Sequence, residues 1–467
     1  MNAMNIFGQH DERTLAQLAD VERRAARVAL MADGHLGYVM PIGGVAAYDQ
    51  KVSVVGVGFD IACGNCAIRT DLTLERLCGL TSADRARNPS RIIGNTVLNE
   101  FAELLQSDLS FGIGRKNTAD DAPVDDPLFM DDAWYVIPNI GRYRDDLRDK
   151  ARRQLGTIGS GNHYVDVFVD TKERVWVGVH FGSRGLGHTI ATNFLALGQG
   201  LRWGDKAKKQ EVLLDLTTPL GQDYWALMNL AGRYAYAGRE WVARKVVEWL
   251  GGTSEDMVHN HHNFAWKEEH WVPEVGGVQE LVVVRKGATP AFPGQMGFVG
   301  GSMGDDSVIL RGATEPSLSL TDVEERSRQD AALFSTVHGA GRVMSRTEAA
   351  GKRDRRSGQL KKYKEGPLAG QVINAGKVSP QMMQQWLKAS GVILRGGGCD
   401  ESPHCYRRLT DVLAAQGDTI EVLETLSPVI VVMAGGTSSI HSKTKPSAIS
   451  HQPSARTAKQ RTARLRS

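Results

Sequence analysis

The sequence predicts an α+β fold in one large domain, with central β-sheets flanked by helices. Three observations point there. Apolar runs of strand character interleave with long segments of helical period, but without the regular alternation that a doubly wound sheet requires. Glycine is abundant, at 51 residues, and much of it punctuates the β-rich segments, as tight turns and close backbone approaches do. No internal repeat at solenoid period is present.

Taken in chain order, a first helix is predicted over Asp11–Ala32. The run Val54-Val55-Gly56-Val57-Gly58-Phe59 reads as a buried strand. Val175-Trp176-Val177-Gly178-Val179 reads as another, and it delivers His180 at its end. A second helix runs from about Tyr224 to Trp249, where Asn229, Arg233, Tyr236, Glu240 and Arg244 recur at helical spacing. Leu281-Val282-Val283-Val284 is a third buried strand. A third helix runs from about Asp322 to Ala332, with Thr321 as N-cap and Glu324 closing a capping box. The charged stretch Arg346–Gln371 reads as a long surface excursion. Beyond Gly435 no acidic residue remains, so residues 436–467 read as a basic, disordered tail and residues 1–435 as the domain.

A hydrophobic share of 41% and a charged share of 23% suit a soluble globular chain. No apolar run approaches the roughly 20 residues that cross a bilayer. The N-terminus lacks the basic and apolar regions of a secretory signal. The chain therefore reads as cytoplasmic, with no membrane partner. Five cysteines in 467 residues argue against a disulfide framework. Cys63 and Cys66 could form half of a zinc knuckle, but no second pair matches them. The net charge of +3 neither demands nor forbids a nucleic-acid partner. Basic residues concentrate in Lys352-Arg353-Asp354-Arg355-Arg356, in Lys361-Lys362-Tyr363-Lys364 and in the tail; the first cluster reads equally as a solvated loop or an RNA contact.

Chemistry-bearing residues gather in short glycine-bounded segments. Asp60-Ile61-Ala62-Cys63-Gly64 offers a carboxylate and a thiol from one tight turn. His163 and His180 flank a strand pair, and His262 follows His259 and His261. A carboxylate, a thiolate and three imidazoles would suit one or two borderline ions such as Mn²⁺, Zn²⁺ or Co²⁺, and a thiolate can bridge two ions. The segments Arg285–Gly294 and Gly300–Ser307 are candidate anion-binding loops, with Arg285, Lys286, Ser302 and Ser307 as further donors. No Walker A motif is present. His338 is followed by Gly339, Ala340 and Gly341, which leave its ring open as metal ligand, general base or nucleophile.

These segments together resemble the RtcB family of GTP-dependent RNA ligases. The motifs are Gly58-Phe59-Asp60-Ile61-Ala62-Cys63-Gly64, Gly159-Ser160-Gly161-Asn162-His163, His180-Phe181-Gly182-Ser183-Arg184-Gly185 and His262-Asn263-Phe264, with the two glycine-rich loops, Ser335–Arg346 and Asp400-Glu401-Ser402-Pro403-His404. The likeness runs from about His35-Leu36-Gly37-Tyr38 to Val431-Val432. It implies that Asp60, Cys63 and His163 hold one Mn²⁺, that Cys63, His180 and His262 hold a second, and that His338 becomes guanylylated. It places Asn162, His163, Tyr164, Val165, Asp166, His262, Asn263, Gly300, Gly301, Ser302, Met303, Ser307, Gly339, Ala340 and Gly341 near the guanylate, with Tyr406 a further candidate. The implied partners are GTP, RNA with a 3′-phosphate or 2′,3′-cyclic-phosphate end and a 5′-hydroxyl end, and an archease-like activator. The family usually ends Val-Val-Lys-Gly with the lysine on the nucleotide, whereas this chain reads Val431-Val432-Met433-Ala434-Gly435. The lysine falls on Met433 or Ala434, and Lys443 or Lys445 of the tail is a candidate substitute. A paralogue acting as a metal-dependent phosphohydrolase or RNA end-processing enzyme is the alternative reading; a catalytically weak RNA-binding protein is a third.

Overall fold

A computed structural model of the chain describes residues 5–272, 275–314, 328–354 and 359–435. Its larger sheet runs, edge to edge, through the strands Met296–Val299, Ser307–Gly312, Ile420–Gly435, Tyr164–Asp170, Arg174–Phe181, Gly64–Thr73 and Ser254–His261, with Ile393–Gly397 paired parallel to Ile420–Gly435. The other pairings are antiparallel. The sheet curls until its edges nearly meet. Asn260 Oδ1 on one edge accepts the Phe298 N–H of the other at 3.1 Å, and Asn65 Nδ2 donates to the Phe298 carbonyl at 2.9 Å. Side-chain alternation then divides each strand between two cores. Ala67, Phe168, Trp176, Phe298 and Leu426 fill the inside of the curl. Cys66, Ile68, Val167 and Val177 face outward onto helices Thr96–Asp108 and Pro219–Leu250.

A second sheet holds the strands Asn5–Ile6, Arg27–His35, Ile42–Tyr48, Gly277–Lys286 and Asn263–Val272 in that order. The large sheet's edge strand ends at His261 and this sheet's edge strand begins at Asn263, so His262 is the joint between the sheets. The two-stranded antiparallel pair Ala288–Pro290 with Ser335–Val337, whose strands are far apart in the chain, lies beside this joint and presents His338 at its end.

The long helix expected over Tyr224–Trp249 spans Pro219–Leu250. Thr218 caps it by accepting the Gly221 N–H, proline occupies its first turn, and Gly251 ends it in the left-handed region. The strands expected at Val175–Val179 and Leu281–Val284 lie within Arg174–Phe181 and Gly277–Lys286.

Two expectations are corrected. The helix expected over Asp11–Ala32 covers only Glu12–Glu22, capped by Asp11, and Arg27–His35 is a strand. From Arg27 to Gly34 every residue is buried, which a one-faced surface helix cannot supply but a strand covered on both sides can. The strand expected at Val54–Phe59 is a four-residue helix, Val54–Val57, because Ser53 Oγ accepts the Gly56 N–H and Gly58 ends the turn at φ 94°. All four residues are buried, so the apolar run carries no period to distinguish the two states. Of the third expected helix, Arg328–Ala331 is helical, while Thr321 and Glu324 lie outside the described residues. The predicted tail, 436–467, and residues 355–358 of the basic cluster also lie outside them.

Arg285 and Lys286, expected to serve an anion loop, are instead buried structural cations. Arg285 donates to Glu268 at 2.6 and 3.0 Å and to Ser335 Oγ at 2.8 Å. Lys286 Nζ donates to the Val55 carbonyl at 2.8 Å, and burial lowers its pKa to about 8. Neither faces solvent or a cavity, because their strand is covered on both sides. Breaking the Arg285–Glu268 pair leaves an uncompensated buried charge. Glu268→Leu is expected to cost about 3–5 kcal/mol in urea unfolding, and Glu268→Leu with Arg285→Met to recover most of it.

Candidate active site

The joint at His262 sets the geometry of the site. His262 N–H donates to the Cys63 carbonyl at 2.8 Å, and Ala62 N–H donates to the Asn263 carbonyl at 2.7 Å. The turn carrying Asp60 and Cys63 is thereby tied to the crossing between the sheets. Ala62 takes a left-handed φ of 61°, which closes the turn so that Cys63 N–H reaches the Asp60 carbonyl at 3.1 Å. Gly182 is required opposite this turn, since a Cβ there would stand 2.2 Å from Asp60 Oδ1.

Side chains from four segments converge at this point. One donor atom each from Asp60, Cys63 and His163 lies within 4.8 Å of the others, and the same holds for Cys63, His180 and His262. Cys63 is common to both sets: its Sγ is 3.7 Å from His163 Nε2 and 3.4 Å from His180 Nε2. His163 Nε2 also faces Asp60 Oδ2 at 3.0 Å. The histidine tautomers follow from what stands behind each ring. His163 Nδ1 donates to the Ile158 carbonyl at 3.0 Å. His180 Nδ1 donates to Asn65 Oδ1 at 2.6 Å, an orientation fixed because Asn65 Nδ2 is committed to Phe298. The His180 Nε2 lone pair is thus aimed inward, and the His163 Nε2 faces Asp60 and Cys63. His262 stacks on His180 at 5.1 Å between centroids, and its buried Nδ1 has no protein partner.

The donor set fits divalent cations and little else. Burial, with His163 and His338 nearby, drives His180 well below the ordinary imidazole range; burial, His338 and His180 do the same to His262. Both rings are neutral and available as ligands. Burial raises and the His163 hydrogen bond lowers the Asp60 carboxyl, which ends at about 2. Burial, then Asp60, pushes the Cys63 thiol well up, so a thiolate there needs a cation beside it.

Arg239, fully buried on the long helix, holds these segments from behind. Its Nη1 donates to the Ala62 carbonyl at 2.8 Å and the Phe181 carbonyl at 2.6 Å. Its Nη2 meets His261 Nδ1 at 2.9 Å and its Nε donates to His259 Nε2 at 2.8 Å. One guanidinium therefore contacts the immediate neighbours of Cys63, His180 and His262. His259 and His261 serve it and the Tyr236 ring, away from the donor cluster. Cys66 points into the outer core, which removes the zinc-knuckle reading.

A cavity of about 310 Å³ opens from the cluster. Asp60, Cys63, His180, His262, Asn263, Asn162 and His338 line it. His338 directly follows the strand Ser335–Val337, its ring 5.0 Å from that of His262. Buried Asp33 approaches His338 Nδ1 to 2.6 Å, outside hydrogen-bond alignment, while its Oδ2 accepts the N–H groups of His338 and Gly339 at 3.1 and 3.3 Å. Gly341, at φ 70°, must lack a side chain because a Cβ would lie 2.4 Å from the Asp33 carbonyl.

Tyr164, Asp166, Gly300, Gly301, Ser302, Met303, Gly339, Ala340, Gly341, Arg342, Arg346, Tyr406, Val431 and Met433 also line the cavity, with the Tyr164 ring stacked on His180. Ser307 lies just behind, its Oγ accepting the Gly301 N–H at 3.0 Å. Val165, on the opposite face of its strand from Tyr164 and Asp166, packs in the outer core and does not line the cavity. Of the two positions at which the expected lysine could fall, Met433 lines the cavity and Ala434 does not; Lys443 and Lys445 lie outside the described residues. Asp166 is buried with Oδ1 unpaired, and desolvation pushes its carboxyl well above the ordinary range. Arg342 donates to Glu401 at 3.0 Å and to the Tyr406 hydroxyl at 2.8 Å, and Arg346 pairs with Asp400 and Glu401.

The model of the family described as tRNA-splicing ligase RtcB matches residues 14–434. The chain belongs to the RtcB family. It is 33% identical to the tRNA-splicing ligase RtcB of Thermococcus kodakarensis over 409 residues, covering 72% of this chain and 78% of that protein. It is 29% identical to the RNA-splicing ligase RtcB of Escherichia coli over 433 residues, covering 87% of this chain and 89% of that one. A third RtcB relative, from Archaeoglobus fulgidus, is 33% identical over 401 residues, covering 72% of this chain and 76% of its own length. The mixed helix-and-sheet architecture is thus one RtcB domain. No described helix is long and apolar enough to cross a membrane.

Sequence reading missed Asp33, Asn65 and Arg239. Asp33 alone left a trace, as a carboxylate inside an otherwise apolar strand. Asn65→Ala is expected to weaken divalent-cation binding at the Cys63–His180–His262 set by about 10- to 100-fold, because it frees the His180 ring; calorimetric titration with Mn²⁺, Zn²⁺ and Co²⁺ checks this.

Proposed function

We propose that this RtcB-family chain joins RNA carrying a 3′-phosphate or 2′,3′-cyclic phosphate to RNA carrying a 5′-hydroxyl, using GTP and two Mn²⁺ ions, through a guanylate on His338. The observation that carries this reading is the placement of His338. Its Nδ1 lies 2.6 Å from Asp33, and the residue lines the cavity that Asp60, Cys63, His180 and His262 also line. A phosphoryl acceptor at Nε2 would use that arrangement, with a carboxylate beside one ring nitrogen and the lone pair on the other.

Asp60, Cys63 and His163 would hold one ion and Cys63, His180 and His262 the other. Bound there, the ions would offset charge on phosphoryl oxygens. His338 Nε2 attacks the α-phosphorus of GTP, an N–P bond forms and pyrophosphate leaves. The developing positive charge on the ring is met by Asp33 at Nδ1. A cyclic phosphate is first hydrolysed to a 3′-phosphate. An oxygen of that phosphate then takes GMP from His338, breaking the N–P bond. The 5′-hydroxyl attacks the activated 3′-phosphate, forming the phosphodiester and releasing GMP. Splitting one difficult displacement into these steps is the use of the covalent intermediate.

Asp166 suits the base edge of the nucleotide. An unpaired acceptor walled by Val431 and Met433 favours a base that presents N–H donors, as guanine does at N1 and N2. Asn162 and Asn263 line the cavity with the donor sets, and the backbone of Gly300–Ser302 and Gly339–Gly341 lets a nucleotide approach closely. An archease-like activator remains part of this reading as a protein that would act on the same chain.

Incubation with α-labelled GTP and Mn²⁺ is expected to label the protein, and His338→Ala to abolish the label. Asp33→Asn is expected to slow labelling by about 10²- to 10³-fold without removing it. Ligation of a cyclic-phosphate RNA to a 5′-hydroxyl RNA separates this reading from an end-processing paralogue, which would change the ends and not join them.

A further inference from the structure

Beside the cavity mouth the chain builds a shelf that the site described above does not use. The strand Arg27–His35 ends at a cavity-lining residue and turns through Leu36-Gly37-Tyr38. Tyr38 is 66% exposed and Leu36 41%. The turn is pinned: Gly37 N–H donates to Gln17 Oε1 at 2.9 Å, and Gln17 Nε2 donates to the Tyr38 carbonyl at 2.9 Å. The ring is therefore presented to solvent by an ordered backbone.

Tyr38 meets Phe59 edge-on at 6.4 Å, and Phe59 meets the exposed ring of His188 at 5.9 Å. Phe59 immediately precedes Asp60, whose side chain is 35% exposed at the cavity. Lys209 Nζ stands 4.5 Å over the Tyr38 ring and 5.3 Å over Phe59. Lys209 belongs to an exposed loop that also carries Arg202, Lys206 and Lys208, and among the described residues none of the four is in an ion pair. The nearest loop carboxylate, Asp205, is turned back onto the Arg202 N–H at 2.9 Å.

We propose that Tyr38, Phe59, His188 and Lys209 form a docking shelf for a single-stranded RNA end, stacking a base near its terminus and leading that terminus past Asp60 into the cavity. The inference rests on the ligase reading for the identity of the strand. Two features argue for nucleic acid over a protein partner. Exposed aromatic faces stack bases of any sequence, and a ligase of diverse ends needs contact without readout. The unpaired cations beside them match a phosphate backbone and have no carboxylate to answer to. Continuity with Asp60 supplies the direction: the shelf ends where the candidate metal donors begin.

The test uses the full chain and a fluorescein-labelled single-stranded 5′-hydroxyl oligoribonucleotide, read by anisotropy, beside labelling with α-labelled GTP. Tyr38→Ala is expected to weaken oligonucleotide binding about tenfold, and Tyr38→Trp to restore it. Lys209→Ala is expected to weaken binding and to flatten its dependence on salt. GTP labelling is expected to be unchanged in all three, since none touches His338 or its surroundings. Binding indifferent to Tyr38 and Lys209 overturns the shelf, as does a parent protein that binds no RNA; a surface made for a protein partner would give that same indifference. Absence of GTP labelling in the parent would count against the ligase reading alone, because anisotropy reports on the shelf without it.

Discussion

The hydrogen bond from His262 N–H to the Cys63 carbonyl is the contact on which the centre depends. Cys63 immediately precedes the strand Gly64–Thr73, next to one edge strand of the large sheet, and His262 is the single residue between that sheet and the smaller one. Their bond fixes the two sheets against each other at the point where four donor-bearing segments meet. Arg239 completes the arrangement from the far side, by satisfying carbonyls beside Cys63 and His180. A fully buried guanidinium with its donors filled is a costly group to place in a core, and its removal would leave carbonyls unpaired rather than a clean void.

The electrostatics of the pocket follow from burial more than from sequence charge. Three imidazoles, one thiol and one carboxylate are packed together with little net charge of their own, and desolvation keeps the His180 and His262 rings neutral and the thiol protonated. Such a set is poised for cations. Two carboxylates in one cavity behave oppositely for this reason. Asp60, beside His163 and near Arg184, ionises readily; Asp166, buried beside Val431, does not.

His338 arrives by a different route from the donor cluster. It follows a strand of a short two-stranded antiparallel pair and is backed by Asp33, which comes from the smaller sheet. His338 and the candidate metal donors are thus supported by separate elements that share the cavity and the His262 ring. That separation holds the imidazole beside the cluster without joining it, with Asp33 Oδ2 2.6 Å from Nδ1 and accepting the His338 N–H.

The sequence alone determined the fold class, the long helix over about Tyr224–Trp249 from its spacing, and the short motifs that hold the site. These are local matters: periodicity, capping chemistry and glycine-bounded turns are written in neighbouring residues. It misjudged Val54–Val57 and Arg27–His35, where burial on every side removes the period that separates strand from helix. It also read Arg285 and Lys286 as anion donors, although both are interior cations, because a loop's composition does not reveal which way its ends face. Only the tertiary structure decided that Met433 lines the cavity, and that Asp33, Asn65 and Arg239 stand behind the site. Those outcomes depend on contacts between segments far apart in the chain. The curl of one sheet and its single-residue joint to another set those contacts, and no local pattern encodes them.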